Sequence, residues 1–225
     1  MSGSGLPQLV ILDCDGVLVD SERLTVHVEA RVLTELGWSL TAEEVVARWM
    51  GRTSEFQLAE IEQALGLDAM QEFDIRSSAE VHAAFEEELR PVDGVVELLD
   101  RLDGAGVATC VASSGTHDRM RRTLGLTGLH DRLAGRIFSA TDVGRGKPFP
   151  DLFLHAARVM GSPPSGCVVV EDSVYGVRAG VAAGMRVLGY AGGLTSAEAL
   201  AAEGAVPFET MADLADALLP RPGGR

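Results

Sequence analysis

Residues Leu9 to Glu22 read LVILDCDGVLVDSE, and the fold of the chain turns on how that run is read. Leu9, Val10, Ile11 and Leu12 form an unbroken apolar run, the pattern of a short strand buried on both faces. The strand ends on Asp13, Asp15 follows, and Gly16 lets the backbone turn. Open α/β sheets bind ligands outside the carboxyl ends of their strands, where this pair is placed. At that spacing both carboxylates can point into one site, and like charges there need a cation or a shared proton between them. A hard Mg²⁺ held by carboxylate oxygens meets the need and prepares the site for phosphate. Alone, D-x-D reads equally as a turn with two solvated acids, so the rest of the chain must decide.

Lys147 is the main corroboration. Of the 19 strongly basic residues it is the one lysine; all the others are arginine. A compact ammonium on a flexible stem does not interchange with a guanidinium fork. A phosphate, or a crowded pair of carboxylates, is a place that requires the point charge. Lys147 lies in Gly144-Arg145-Gly146-Lys147-Pro148-Phe149-Pro150-Asp151, a loop leading into a helical pattern.

At 225 residues the chain can bury a large core, and 46% apolar residues make it globular. A formal charge of −14 opposes binding to nucleic acid or to anionic membranes, so an anionic substrate has to be drawn by a local site. No apolar stretch reaches transmembrane length, and no basic-then-apolar leader is evident at the N-terminus. Cys14, Cys110 and Cys167 lie in or beside apolar strand signals without zinc spacing. They read as small buried residues in a reducing compartment, with the cytoplasm as the expected location.

Strand-like segments at Leu9–Asp13, Val107–Ser113, Arg136–Ser139, Cys167–Glu171 and Arg186–Tyr190 alternate with helical patterns at Asp93–Leu102, His117–Leu124, Asp151–Met160 and Ser173–Ala183. Alternation of this kind implies a parallel sheet with right-handed crossovers. Between the first two strands only helical patterns occur, at Ser21–Leu36, Thr41–Met50, Ser54–Leu65 and Met70–Leu89. That insertion is too long for a loop and must pack as its own unit, a lid over the carboxylate turn. The expected fold is therefore α/β: a doubly wound, Rossmann-like parallel sheet from residues 1–20 and 90–225, with an all-helical cap domain from residues 21–89.

Four strand ends carry polar groups suited to phosphoryl transfer. The first gives Asp13 and Asp15. The second, after Val107–Ala112, gives Ser113 and Ser114 with free N–H groups before a helix, able to bind phosphate oxygens; Ser113 is equally a helix cap. Lys147 is the third. The fourth closes Cys167-Val168-Val169-Val170 with Glu171, Asp172 and Ser173, where paired acids can complete an oxygen-ligand metal site or simply cap the next helix. The conjunction is the specific signal. Lys147 is followed by Pro148 instead of Ser or Thr, which excludes a P-loop.

With these pieces in hand, the chain resembles the haloacid dehalogenase-like hydrolases over nearly its whole length. The matching runs are DCDGVLVDSE at 13–22, VASSGT at 111–116, GKPFPD at 146–151 and VVVEDSVYGVRAGVAAGM at 168–185. It is most similar to the β-phosphoglucomutase-like and sugar-phosphatase branch with a helical cap. The resemblance implies that Asp13 is the nucleophile and a Mg²⁺ ligand, forming an aspartyl phosphate. It makes Asp15 the general acid/base, with its backbone carbonyl on the metal, and gives phosphoryl binding to Ser113 and Ser114. Lys147 would bridge nucleophile and phosphate, and Glu171 and Asp172 would complete the metal site. Dehalogenases lack an acid at the Asp15 position, and the lysine-free cap excludes the Schiff-base chemistry of phosphonatases.

The expected activity is Mg²⁺-dependent hydrolysis of a small phosphorylated metabolite, a sugar phosphate or sugar-acid phosphate. The runner-up is a β-phosphoglucomutase-type mutase, disfavoured because Thr25 stands where the family's cap histidine would be and His27 is two residues on, on a different helix face. From other classes come a phosphoacceptor signalling module, opposed by chain length and by the order of acid, hydroxyl, lysine and acid, and a non-catalytic binding module. Gly51 and Arg52, joining two cap helices, are candidate substrate contacts; a solvated arginine at a helix end is as good a reading. A monomer without nucleic-acid or membrane partners is expected.

Overall fold

The computed structural model describes residues 5–50 and 54–220. The chain forms two compact units, one of residues up to Val19 and from Pro91 onward, the other Asp20–Arg90. Gly51 and Arg52 lie outside the described residues. In chain order, β1 (Leu9–Leu12) is followed by the four helices of the second unit, α1 (Ser21–Glu35), α2 (Ala42–Trp49), α3 (Ser54–Leu65) and α4 (Leu67–Glu88). The first unit resumes with α5 (Val95–Gly104), β2 (Ala108–Ser113), α6 (His117–Leu126), α7 (His130–Leu133), β3 (Ile137–Ser139) and α8 (Asp151–Val159). It ends with β4 (Cys167–Glu171), α9 (Val174–Ala182), β5 (Arg186–Tyr190), α10 (Ala197–Ala202), β6 (Val206–Phe208) and α11 (Met211–Leu218).

The six strands form one parallel sheet in the order β3-β2-β1-β4-β5-β6. β1 is central: Leu9 is in register with Ala108 and Cys167, and Leu12 with Val111 and Val170. The chain first builds outward through β2 and β3, then crosses back to begin again at β4. The reversal between β1 and β4 is the switch point at which doubly wound sheets bind ligands. Because helices cover both faces, the strands need apolar residues at every position; Leu9 to Leu12 are fully buried. Removing each such side chain from water stabilises the fold by about 1.5–3 kcal/mol.

The helices that follow β2, β4, β5 and β6 start on hydroxyl caps. Thr116, Ser173, Ser196 and Thr210 accept backbone N–H bonds from Arg119, Gly176, Ala199 and Asp213. Each cap satisfies a donor that a helix start otherwise leaves unpaired. α8 buries Leu152, Phe153, Ala156 and Ala157, a stripe with helical spacing. α9 packs on the sheet through Gly176, Ala179 and Gly180, without room for a larger residue at Gly180: a Cβ there would fall 2.7 Å from a Val187 methyl. All three cysteines are buried free thiols. β1 stops at Leu12, so Asp13 stands just beyond the strand. β6 escaped the sequence pattern because it is a three-residue edge strand containing Pro207.

In the helical unit α1 packs on α2 and α4, and α3 packs on α4. Its buried apolar residues include Leu24, Val28 and Val32 of α1, Ile61 of α3, and Phe73, Val81 and Phe85 of α4. Thr41 and Glu44 form a capping box that starts α2. Trp38 and Trp49 meet edge to face at 5.8 Å, and the Trp49 indole N–H donates to Glu60 at 2.8 Å. No described helix is long and apolar enough to cross a membrane.

Candidate active site

The switch point gathers charge from three stretches far apart in sequence. Asp13 follows β1, and its backbone N–H donates to Val170 of β4 at 3.0 Å, which pins the turn to the neighbouring strand. Glu171 is the last residue of β4 and Asp172 the next. Among the described residues, Asp13, Glu171 and Asp172 form a group whose carboxylate oxygens lie within 4.8 Å of one another, and all three are buried. Lys147 enters from the loop before α8. Its Nζ donates to Asp13 Oδ1 at 2.5 Å and also to Glu171 Oε1, and it stands 5.1 Å from the centre of the Phe153 ring. Its side chain is only 5% exposed, so the singled-out lysine is an interior group.

Glycines make the approach possible. Gly16 has φ +82°, a conformation that L side chains avoid, and a Cβ there would lie 2.0 Å from Asp172 Oδ2. Gly176, in the first turn of α9, lets the helix close over Glu171; a Cβ would sit 1.9 Å from its carboxyl carbon. The other Glu171 oxygen accepts from the Ser173 backbone N–H at 3.0 Å and the Ser173 hydroxyl at 2.9 Å. Glu171 is thus held on one side by the helix start and on the other by Lys147.

Three buried carboxylates face one ammonium, leaving an excess of two negative charges if all are ionised. Burial pushes the Asp13 carboxyl up to about 8; the Lys147 charge pulls the other way, while Glu171 and Asp15 add to the rise. Burial by itself would lower the Lys147 ammonium, but Asp13 and Glu171 outweigh it and hold it above the usual lysine range. Lys147 is therefore a fixed positive charge, and with every acid ionised the cluster would still carry an uncompensated excess of negative charge. The donor set is all oxygen, which suits a hard ion.

The remaining predicted residues line this cluster or stand off it. Ser113 ends β2, is 1% exposed, and its Oγ accepts the Gly115 N–H at 3.0 Å. Ser139 donates to the Gly115 carbonyl at 2.7 Å, fixing the loop between β2 and α6. Ser114 is exposed on that loop and is not brought into the buried group. The Asp15 carboxylate lies outside the group of three and is engaged by Arg119, with Nη2 to Oδ1 at 2.9 Å and Nε to Oδ2 at 3.4 Å. The like charge expected between Asp13 and Asp15 is thus met on the Asp15 side by a guanidinium. Sequence reasoning missed Arg119: it sits in the first turn of a helix, and nothing separates it there from the chain's other arginines.

Known proteins resemble this chain in sequence and in fold. Residues 7–184 match the model of the haloacid dehalogenase-like hydrolases. The 6-phosphogluconate phosphatase of Escherichia coli (strain K12) is 34% identical over 185 residues, 80% of this chain and 80% of that protein. A phosphorylated carbohydrates phosphatase of Thermotoga maritima is 31% identical over 201 residues, 88% of this chain and 92% of that one. A haloacid dehalogenase family hydrolase from Deinococcus radiodurans R1, solved with bound phosphate and sodium, superposes with a TM-score of 0.80 at 32% identity, over 95% of this chain and 98% of that one. A match that runs from before β1 to the end of α9, on a sheet whose switch point holds the acidic cluster, makes the chain a member of the haloacid dehalogenase-like hydrolase family.

Proposed function

We propose that this protein is a Mg²⁺-dependent phosphatase of small phosphorylated carbohydrates, sugar phosphates or sugar-acid phosphates, working through an aspartyl phosphate on Asp13. The chain is a phosphoric monoester hydrolase. The observation that carries the finer reading is the buried group of Asp13, Glu171 and Asp172, with Lys147 bonded to the first two. Mg²⁺ fits the group by charge, by oxygen donors and by the space that Gly16 leaves beside Asp172, with the Asp15 carbonyl as a further ligand. Bound there, it would offset negative charge on nucleophile and phosphate.

Asp13 attacks phosphorus with a carboxylate oxygen, forming the acyl phosphate and breaking the bond to the ester oxygen. Lys147 holds Asp13 and lowers the repulsion between two anions as they approach. Ser113 and the N–H groups ahead of α6 hold phosphoryl oxygens. Asp15 gives a proton to the leaving oxygen and, once ionised, takes one from the water that attacks the acyl phosphate. The helical unit selects the substrate, with Arg52 a proposed contact.

Hydrolysis is favoured over isomerisation by what the helical unit offers. The Thr25 hydroxyl donates to the Ser21 carbonyl at 2.9 Å, and the His27 ring bonds the Arg23 carbonyl at 2.6 Å on an exposed face. Thr25 carries no imidazole, and the His27 ring is bonded to its own helix. The test is a screen of phosphorylated sugars, sugar acids and nucleotides with Mg²⁺, scoring phosphate release. A preferred carbohydrate ester and little glucose 6-phosphate from β-glucose 1-phosphate with glucose 1,6-bisphosphate support the reading. Isomerisation outrunning phosphate release would replace it with the mutase.

A further inference from the structure

We propose that Arg119 is a positioning residue for Asp15, holding the acid/base carboxylate in one orientation beside the phosphoryl-binding loop. The inference rests on the proposed role of Asp15. The guanidinium meets both carboxylate oxygens, at 2.9 Å and 3.4 Å, a two-point contact that fixes the plane of the carboxylate as well as its place. The Asp15 side chain is 17% exposed and that of Arg119 39%, so the pair sits at the rim of the site, within reach of solvent and substrate.

The backbone of Arg119 is anchored independently. Its N–H donates to the Thr116 cap at 3.3 Å, and its carbonyl accepts from the Thr123 hydroxyl at 3.2 Å. From this fixed first turn the side chain passes over Gly115. A Cβ on Gly115 would lie 3.4 Å from Arg119 Cδ, 3.4 Å from Ser113 Oγ and 3.6 Å from Asp15 Oδ2. Arginine, phosphate-loop hydroxyl and acid therefore converge on one point, and Asp15 is held beside the loop proposed to bind phosphoryl oxygens. A carboxylate free to rotate would be aligned for only part of the time, and small misplacements at a reacting centre cost about 10²-fold.

The test measures single-turnover alcohol release with Mg²⁺, from p-nitrophenyl phosphate and from an alkyl phosphate. Arg119→Ala should slow the alkyl ester about 10- to 100-fold and p-nitrophenyl phosphate about threefold or less, because a good leaving group needs no proton. Arg119→Lys, which keeps the charge without the fork, should stay within a few-fold of the alanine variant. In the Asp15→Asn background, Arg119→Ala should cost nothing further. Melting curves report folding, and Arg119→Gln serves if the alanine variant is unstable. Equal losses for both esters, an additive loss in the double variant, full rescue by lysine, or a raised KM with kcat unchanged would overturn the inference. If Asp15→Asn itself leaves alkyl-ester cleavage unchanged, the acid role of Asp15 fails first; if that variant is slow and Arg119→Ala is not, only the positioning role fails.

Discussion

Lys147→Met should make the metal-free protein unstable in a pH-dependent way. The side chains of Lys147, Asp13 and Glu171 are 5%, 9% and 1% exposed, so the pairs are screened little by water. Removing one partner of a buried ion pair costs about 3–5 kcal/mol, because the other charge is left uncompensated. For a chain of this size that is about 6–20 °C in Tm. Proton uptake limits the loss. Asp13 is raised from 3.8 to about 8, so in the folded state it binds its proton more tightly than in the unfolded chain. The stability from that proton is complete below pH 3.8 and is lost as pH rises through 8. At pH 6 the cluster sheds negative charge by keeping the proton; at pH 9 Asp13 is ionised and its charge falls on Lys147. The gap between wild type and variant should therefore widen from pH 6 to pH 9, read by urea denaturation in EDTA. A gap below about 1 kcal/mol at pH 9, or one that does not change with pH, would refute the reasoning. Activity should fall nearly as far in Lys147→Arg, whose fork is too large for this interior place.

Asp13→Asn should lower kcat by at least about 10³-fold while leaving the metal-free protein about as stable at pH 7, since Asp13 holds its proton there and Lys147 keeps Glu171 as a partner; retained turnover, or a large drop in Tm, would count against the nucleophile or the charge balance. Gly16→Ala should cost about 1–2 kcal/mol for the left-handed backbone and weaken Mg²⁺ binding, because the added Cβ lands 2.0 Å from Asp172 Oδ2; calorimetry finding wild-type affinity would dismiss the crowding. Mg²⁺ at 100 times its Kd should stabilise the protein by about 2.7 kcal/mol. At pH 7 its binding should also release protons, as Asp13 ionises; binding enthalpies independent of buffer would contradict that coupling.

The central sheet and the cluster were legible because parallel strands need unbroken apolar runs, and such runs end where ligands bind. Leu9–Leu12 and Cys167–Glu171 announce themselves this way, and a solitary lysine among arginines points to the interior place where Lys147 meets Asp13 and Glu171. What stayed hidden depends on three-dimensional proximity. The fork of Arg119 on Asp15 joins residues 104 positions apart and leaves no local mark. Gly176 looks like an ordinary small helical residue until α9 is seen closing over Glu171. β6 fell below notice because a short proline-bearing edge strand has no periodicity to read.

The most direct test of the account is a rapid quench of the Asp15→Asn protein with p-nitrophenyl phosphate and Mg²⁺, followed by mass spectrometry. The good leaving group departs without an acid, whereas water attack on the acyl phosphate loses its base, so the intermediate should accumulate. A burst of about one p-nitrophenolate per enzyme, together with a phosphoryl adduct on Asp13, is the predicted result. Phosphate released in step with p-nitrophenolate from the first turnover, with Asp13 unmodified or the adduct on another residue, would contradict it.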